Sequence, residues 1–137
     1  MANLKEIYSK LKTLTGPDRR IDAELDVLVK GSDWVVMSTH SGYVMGLVEG
    51  TRYQQAAPRY TGSVDDALSF VDRMISGHGV SNWNIEMKST RGGFSGASIS
   101  NGNEEKGINL PIAILLSAIM ELTHTRSKTH EIYIIER

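Results

Sequence analysis

The sequence predicts an α+β fold in which an antiparallel sheet lies sandwiched between helices, as α/β/α layers. Three observations carry this. Stretches with apolar residues at three- and four-residue spacing alternate with short stretches of period-two or continuous apolar character. The strand-like stretches come in pairs joined by glycine-containing turns, which marks hairpins rather than crossovers. The chain has 137 residues, and one domain typically takes about 100–150. The expected order is α-α-β-β-α-β-β-α-β over a single domain, 1–137.

Leu4, Ile7, Tyr8, Leu11 and Leu14 define a first amphipathic helix over about Asn3 to Leu14. Thr15-Gly16-Pro17-Asp18 stops it and starts a second, which carries Ile21, Leu25 and Leu28 on one face and ends at Gly31. Trp34-Val35-Val36-Met37 and Tyr43-Val44-Met45 read as a strand hairpin around Thr39-His40-Ser41-Gly42, and Gly50 to Arg59 as a polar connection. Ser63 and Asp66 form a capping-box-like start to a third helix with Val64, Ala67, Leu68, Val71, Met74 and Ile75 as its apolar stripe. In Asn82 to Lys88, Trp83, Ile85 and Met87 alternate with polar residues, so one strand face is expected in the core. Phe94 to Ser100 returns beside it. Asn101 to Asn109 reads as a solvated loop containing Glu104 and Glu105. A fourth helix starts near Pro111 and reaches about His124. Its apolar residues cover more than one face, so it is either enclosed or partly turned to another subunit. Ile132-Tyr133-Ile134-Ile135 reads as a last strand, 129–136.

The composition excludes several classes. Cysteine is absent, which removes disulfides, Cys-zinc sites and thiol nucleophiles. The 15 basic and 16 acidic residues nearly cancel, so no basic field draws the chain to duplex nucleic acid or a membrane surface. The apolar stretch Leu110 to Leu122 falls short of the roughly 20 residues of a membrane-spanning helix. Met1 to Lys12 lacks the apolar core of a signal peptide, and an intracellular protein is expected.

Three segments in this order and spacing resemble the phage ABA sandwich domain family of tailed phages and prophages. They are Gly16-Pro17-Asp18-Arg19 with Ile21-Asp22-Ala23; Pro58-Arg59-Tyr60-Thr61 with Ser63-Val64-Asp65-Asp66-Ala67-Leu68; and the helix Leu110 to Ala118. The resemblance covers about residues 3–122, leaving the tail from Thr125 outside it. It implies a sheet layered between helices and a phage protein in the cytoplasm of a bacterial host. It carries over no catalytic residue.

Few residues point to chemistry. His40, His78, His124 and His130 form no HExxH or helical His pair. Gly93-Phe94-Ser95-Gly96 misses the nucleophile-elbow spacing. Asp65 and Asp66 suit the positive end of a helix. Two loops have the chemistry to hold an anion. Arg91-Gly92-Gly93-Phe94-Ser95-Gly96 joins a guanidinium, exposed backbone N–H groups and a hydroxyl, though the same glycines equally serve a hairpin turn. Arg52, Tyr53, Arg59 and Tyr60 flank Gln54 and Gln55, where Arg and Tyr suit planar anionic ligands and tyrosines equally pin a loop to the core.

The expected function is therefore a non-enzymatic binding protein for a small anionic, nucleotide-like ligand, with Arg59, Tyr60, Trp83, Arg91, Gly92, Gly93 and Ser95 as the site. On the phage resemblance, that ligand is a signal of bacterial immunity. An accessory or assembly protein working through protein contacts is the alternative, and a hydrolase with a dispersed site the third reading. No cofactor or metal is expected; a homo-oligomer, usually a two-fold dimer, is the alternative to enclosure of the fourth helix.

Overall fold

The computed structural model describes residues 3–77, 84–89, 95–99 and 104–135. Helix α1 (Leu4–Thr13) is capped by Asn3, whose Oδ1 accepts the Glu6 N–H at 2.8 Å. It buries Leu4, Ile7 and Leu11, the predicted stripe. Helix α2 (Arg19–Lys30) is capped by Asp18, which accepts the Ile21 N–H at 3.0 Å. Gly31 ends it at φ 105°, a conformation costly to any residue with a Cβ.

Strands β1 (Trp34–Val36), β2 (Tyr43–Val48) and β3 (Thr51–Ala56) form an antiparallel sheet in that order. The segment expected as a polar connection is thus mostly strand. Its turn, Glu49-Gly50, has both residues at positive φ, 50° and 79°. That is the type I′ geometry whose twist matches the flanking strands. A glutamate in this position is an unusual turn signal, so the hairpin is hard to see in the sequence. Trp34 lies opposite Gly46, and a Cβ on Gly46 would collide with the indole ring. Glycine there makes room for tryptophan.

Helix α3 (Val64–Gly77) follows, its Asp66 N–H donated to Ser63 Oγ at 3.3 Å. A second antiparallel sheet contains β4 (Ile85–Ser89), β5 (Ser95–Ile99) and β6 (Glu105–Gly107). The β4–β5 pairing is the hairpin expected from the sequence, with Met87 opposite Ala97. Trp83 lies outside the described residues. Ile85 and Met87 share the face of the buried Ile99 and Ala97 opposite them and Ile85 packs on the core, but Met87 is left exposed, because β4 is an edge strand while α4 packs chiefly over β5 and β6. Strand β6 replaces part of the expected loop. Its Glu105 is buried, not solvated, and accepts the Tyr8 hydroxyl and the Lys12 ammonium.

Helix α4 (Leu110–Ile135) begins at the cap Asn109, whose Oδ1 accepts the Ile112 N–H at 2.8 Å. It does not stop at His124, and the strand expected over 129–136 is helical through Ile135. No glycine or proline follows Pro111 to end the helix. The isoleucines that suggested a strand cost a helix only a few tenths of a kcal/mol each.

The class is α+β; among the described residues the four helices start where the sequence places them, but the strands divide into two small sheets. Helix α4 packs on the β4–β5–β6 sheet and on α1 and α3, while α2 carries the β1–β2–β3 sheet. Ile112 to Leu116 of α4 are all fully buried, so its wide apolar coverage is enclosed within the chain. A smaller cluster of Ala23, Val27, Val44 and Ala57, with Trp34 and Val36 against it, joins α2 to its sheet.

Candidate binding surface

The three segments of the family resemblance meet in space. Thr61 donates its backbone N–H to Asp22 Oδ1 at 2.7 Å and its hydroxyl to the same oxygen at 2.8 Å, while accepting the Asp18 N–H at 2.8 Å. Asn109 donates its amide to the Thr61 carbonyl at 3.1 Å. Arg19 binds Asp22 Oδ2 at 2.8 Å and reaches the carbonyls of Ala57 (2.7 Å), Pro58 (3.2 Å) and Gly42 (3.3 Å). Gly42 lacks the Cβ that would meet this guanidinium at 2.6 Å. Asp26 accepts the Tyr60 hydroxyl at 3.2 Å and Lys30 Nζ at 2.6 Å. The buried carboxylates of Asp22 and Asp26 are thus paired and hydrogen-bonded, as buried charges must be. The starts of α2 and α4 are tied through Thr61 to the loop before α3. Through Arg19, Asp22 and Thr61 these motifs act as a structural clamp.

This decides the role of Tyr60. It is 1% exposed, packs edge-on against Phe70 at 5.5 Å between ring centroids, and cannot stack on a ligand. Burial first, then the Asp26 carboxylate, raises its hydroxyl pKa well above the usual value. A tyrosine beside arginines reads as a binding pair in sequence, but the three-residue offset to Ser63 places it under the helix start. Arg59 is exposed, and Asp66 Oδ2 accepts its backbone N–H at 2.8 Å. Ser95 lies on β5 opposite Gly107, half-buried, on a different sheet from the Arg52 and Tyr53 of β3. Trp83, Arg91, Gly92 and Gly93 fall outside the described residues. Among the described residues, no group of His, Asp and Glu side chains is arranged to hold a metal ion.

What remains open is the outer face of the β1–β2–β3 sheet. The register sets Val35, Met45 and Gln54 in one row, Leu47 beside Arg52, and Tyr43 beside Ala56. Paired residues share a face, so this is one surface. Helix α2 packs on the opposite face over β1 and β2, leaving β3 uncovered on both sides. Val35 is 54% exposed, Leu47 55% and Tyr43 40%. The continuous apolar run Tyr43-Val44-Met45 normally signals a strand covered on both faces. Here one face is covered by α2 and the other is bare. Beside β1, a cleft of about 340 Å³ runs between α2 and the strand, lined by Glu24, Val27, Leu28, Trp34 and Val36 among others. Glu24 Oε1 is held by Lys10 at 2.8 Å, while its Oε2 has no hydrogen-bond partner.

No family model, curated protein or solved structure matches the chain. No helix among the described residues is long and apolar enough to cross a membrane.

Proposed function

We propose that this chain is a non-enzymatic interaction protein that docks another protein on the outer face of its β1–β2–β3 sheet. The observation that carries the reading is that Val35, Tyr43 and Leu47, all exposed, share one face of the sheet. Contiguous apolar surface on one sheet face marks an interaction site more often than a folding need. The setting, a phage-encoded protein in the cytoplasm of a bacterial host, rests on the family resemblance. A partner that supplies apolar side chains to this face gains burial at about 25 cal/mol per Å².

Replacing Val35 and Leu47 together with threonine tests it. The variant folds as the wild type does, and its co-elution with the partner on size exclusion from expressing cells is lost. Retained co-elution refutes the reading. Sequestration of an anionic, nucleotide-like ligand is the second reading, favoured by Arg59, an exposed cation on a loop whose backbone is fixed by Asp66. A thermal-shift screen with mono-, di- and cyclic nucleotides separates the two. A ligand at 100 times its Kd adds about 2.7 kcal/mol, and a flat screen leaves the protein-docking reading alone.

A further inference from the structure

We propose that the chain self-associates through the free edge of β3, two copies joining antiparallel into one six-stranded sheet. The inference deepens the reading above and rests on the same sheet being open, with a second copy of this chain as the partner at its edge.

Strand β3 is the last strand of its sheet, and all six of its residues are exposed. A sheet edge offers unpaired N–H and C=O groups, and proteins that avoid pairing there block it with proline, charged side chains, a bulge or a covering element. Thr51 to Ala56 carry one charge, Arg52, and no proline, and their pairing with β2 runs without a bulge.

The direction of the free groups follows from the hairpin. A two-residue type I′ turn closes on a hydrogen-bonded pair, here Val48 and Thr51. Ala57, six residues on, donates its N–H to the Gly42 carbonyl at 2.7 Å, in the same phase. Thr51, Tyr53 and Gln55 therefore turn their backbone groups to β2, and Arg52, Gln54 and Ala56 turn theirs outward.

One antiparallel register uses all three outward residues. It sets Gln54 against Gln54 of the second copy on the two-fold axis, and Arg52 against Ala56. No like charges then face each other along the strand. Pro58, which has no N–H to donate, sits just past the last paired residue and ends the ladder. The two-fold stands perpendicular to the sheet, so α2 of both copies lies on one side. The bare faces with Val35, Tyr43 and Leu47 then merge on the other.

An edge of this length buries less than the roughly 1,600 Å² of a standard interface, so the dimer is weak and depends on concentration. Sedimentation velocity on the purified full chain, from about 5 to about 500 μM, covers the range expected for such an interface. The wild type shifts from monomer to dimer. Gln54→Pro removes an outward N–H without touching the β2 pairing, and stays monomeric with an unchanged circular dichroism spectrum. A wild type that is monomeric throughout overturns the proposal, as does a dimer that survives Gln54→Pro. Val35→Thr with Leu47→Thr leaves dimerisation intact, because neither side chain takes part in the edge pairing. That separates failure of this inference from failure of the docking reading.

Discussion

Asp22→Ala is the substitution that probes the polar clamp most sharply. The carboxylate is 1% exposed and accepts three hydrogen bonds, two from Thr61 and one from Arg19. Removing it leaves the buried Thr61 N–H without its acceptor, a loss of about 1–3 kcal/mol. The charge-assisted bond to Arg19 adds about 1.5–3 kcal/mol, taken at the low end because Arg19 is partly exposed and keeps its three carbonyl contacts. The expected cost is about 3–4 kcal/mol. With a urea slope of roughly 1.5–2 kcal/mol per M for a chain of this size, the midpoint falls by about 1.5–2.5 M. Asp22→Asn, with its amide oxygen toward Thr61, keeps those two bonds and turns an NH₂ toward the guanidinium, so it costs roughly half as much. Urea titrations followed by circular dichroism measure both. A midpoint for Asp22→Ala within about 0.3 M of the wild type refutes the claim that this clamp holds the 57–62 loop to α2.

Leu115→Ala and Ile119→Ala each cost about 2–5 kcal/mol by the same titration, since both side chains are buried between sheet and helices. Gly46→Ala costs about 1–3 kcal/mol, because the new methyl meets the Trp34 ring, and Trp34→Leu in the same chain recovers part of it. Burial, reinforced by the Glu105 carboxylate, pushes Tyr8 up to about 12. Unfolded tyrosine titrates near about 10, so between those values only the unfolded chain has lost the proton, and stability falls as pH rises. Tyr8→Phe flattens that fall in urea midpoints taken from about pH 9 to 11.5, and an unchanged slope contradicts the contact with Glu105.

The helices were legible because their signals are local. Asp18, Ser63 and Asn109 are short polar side chains directly before apolar periodicity, and each accepts the N–H three residues on. The β4–β5 hairpin was legible from alternation and a glycine-rich turn. The missed features depend on what lies across space. Strand β3, Thr-Arg-Tyr-Gln-Gln-Ala, has no apolar face because none of it is covered, so a periodicity test sees only a polar loop. Glu105 looked solvated among charged neighbours, yet Tyr8, 97 positions away, reaches it. Tyr60 and Arg59 are adjacent in sequence and opposite in fate, one in the core and one in water. Composition alone ranked them together, and only the fold of the Pro58–Thr61 turn separates them. The bare face is not legible because a continuous apolar strand carries no mark of which side is left uncovered.

The central question is whether the outer face of the β1–β2–β3 sheet is a working surface. A photo-cross-linking residue placed at Leu47, with Arg20 on the exposed side of α2 as the control, measures that in cells expressing the protein. The account predicts a discrete higher-mass adduct from position 47 that disappears when Val35 is changed to lysine, and none from position 20. No adduct from position 47, or equal adducts from both positions, contradicts it.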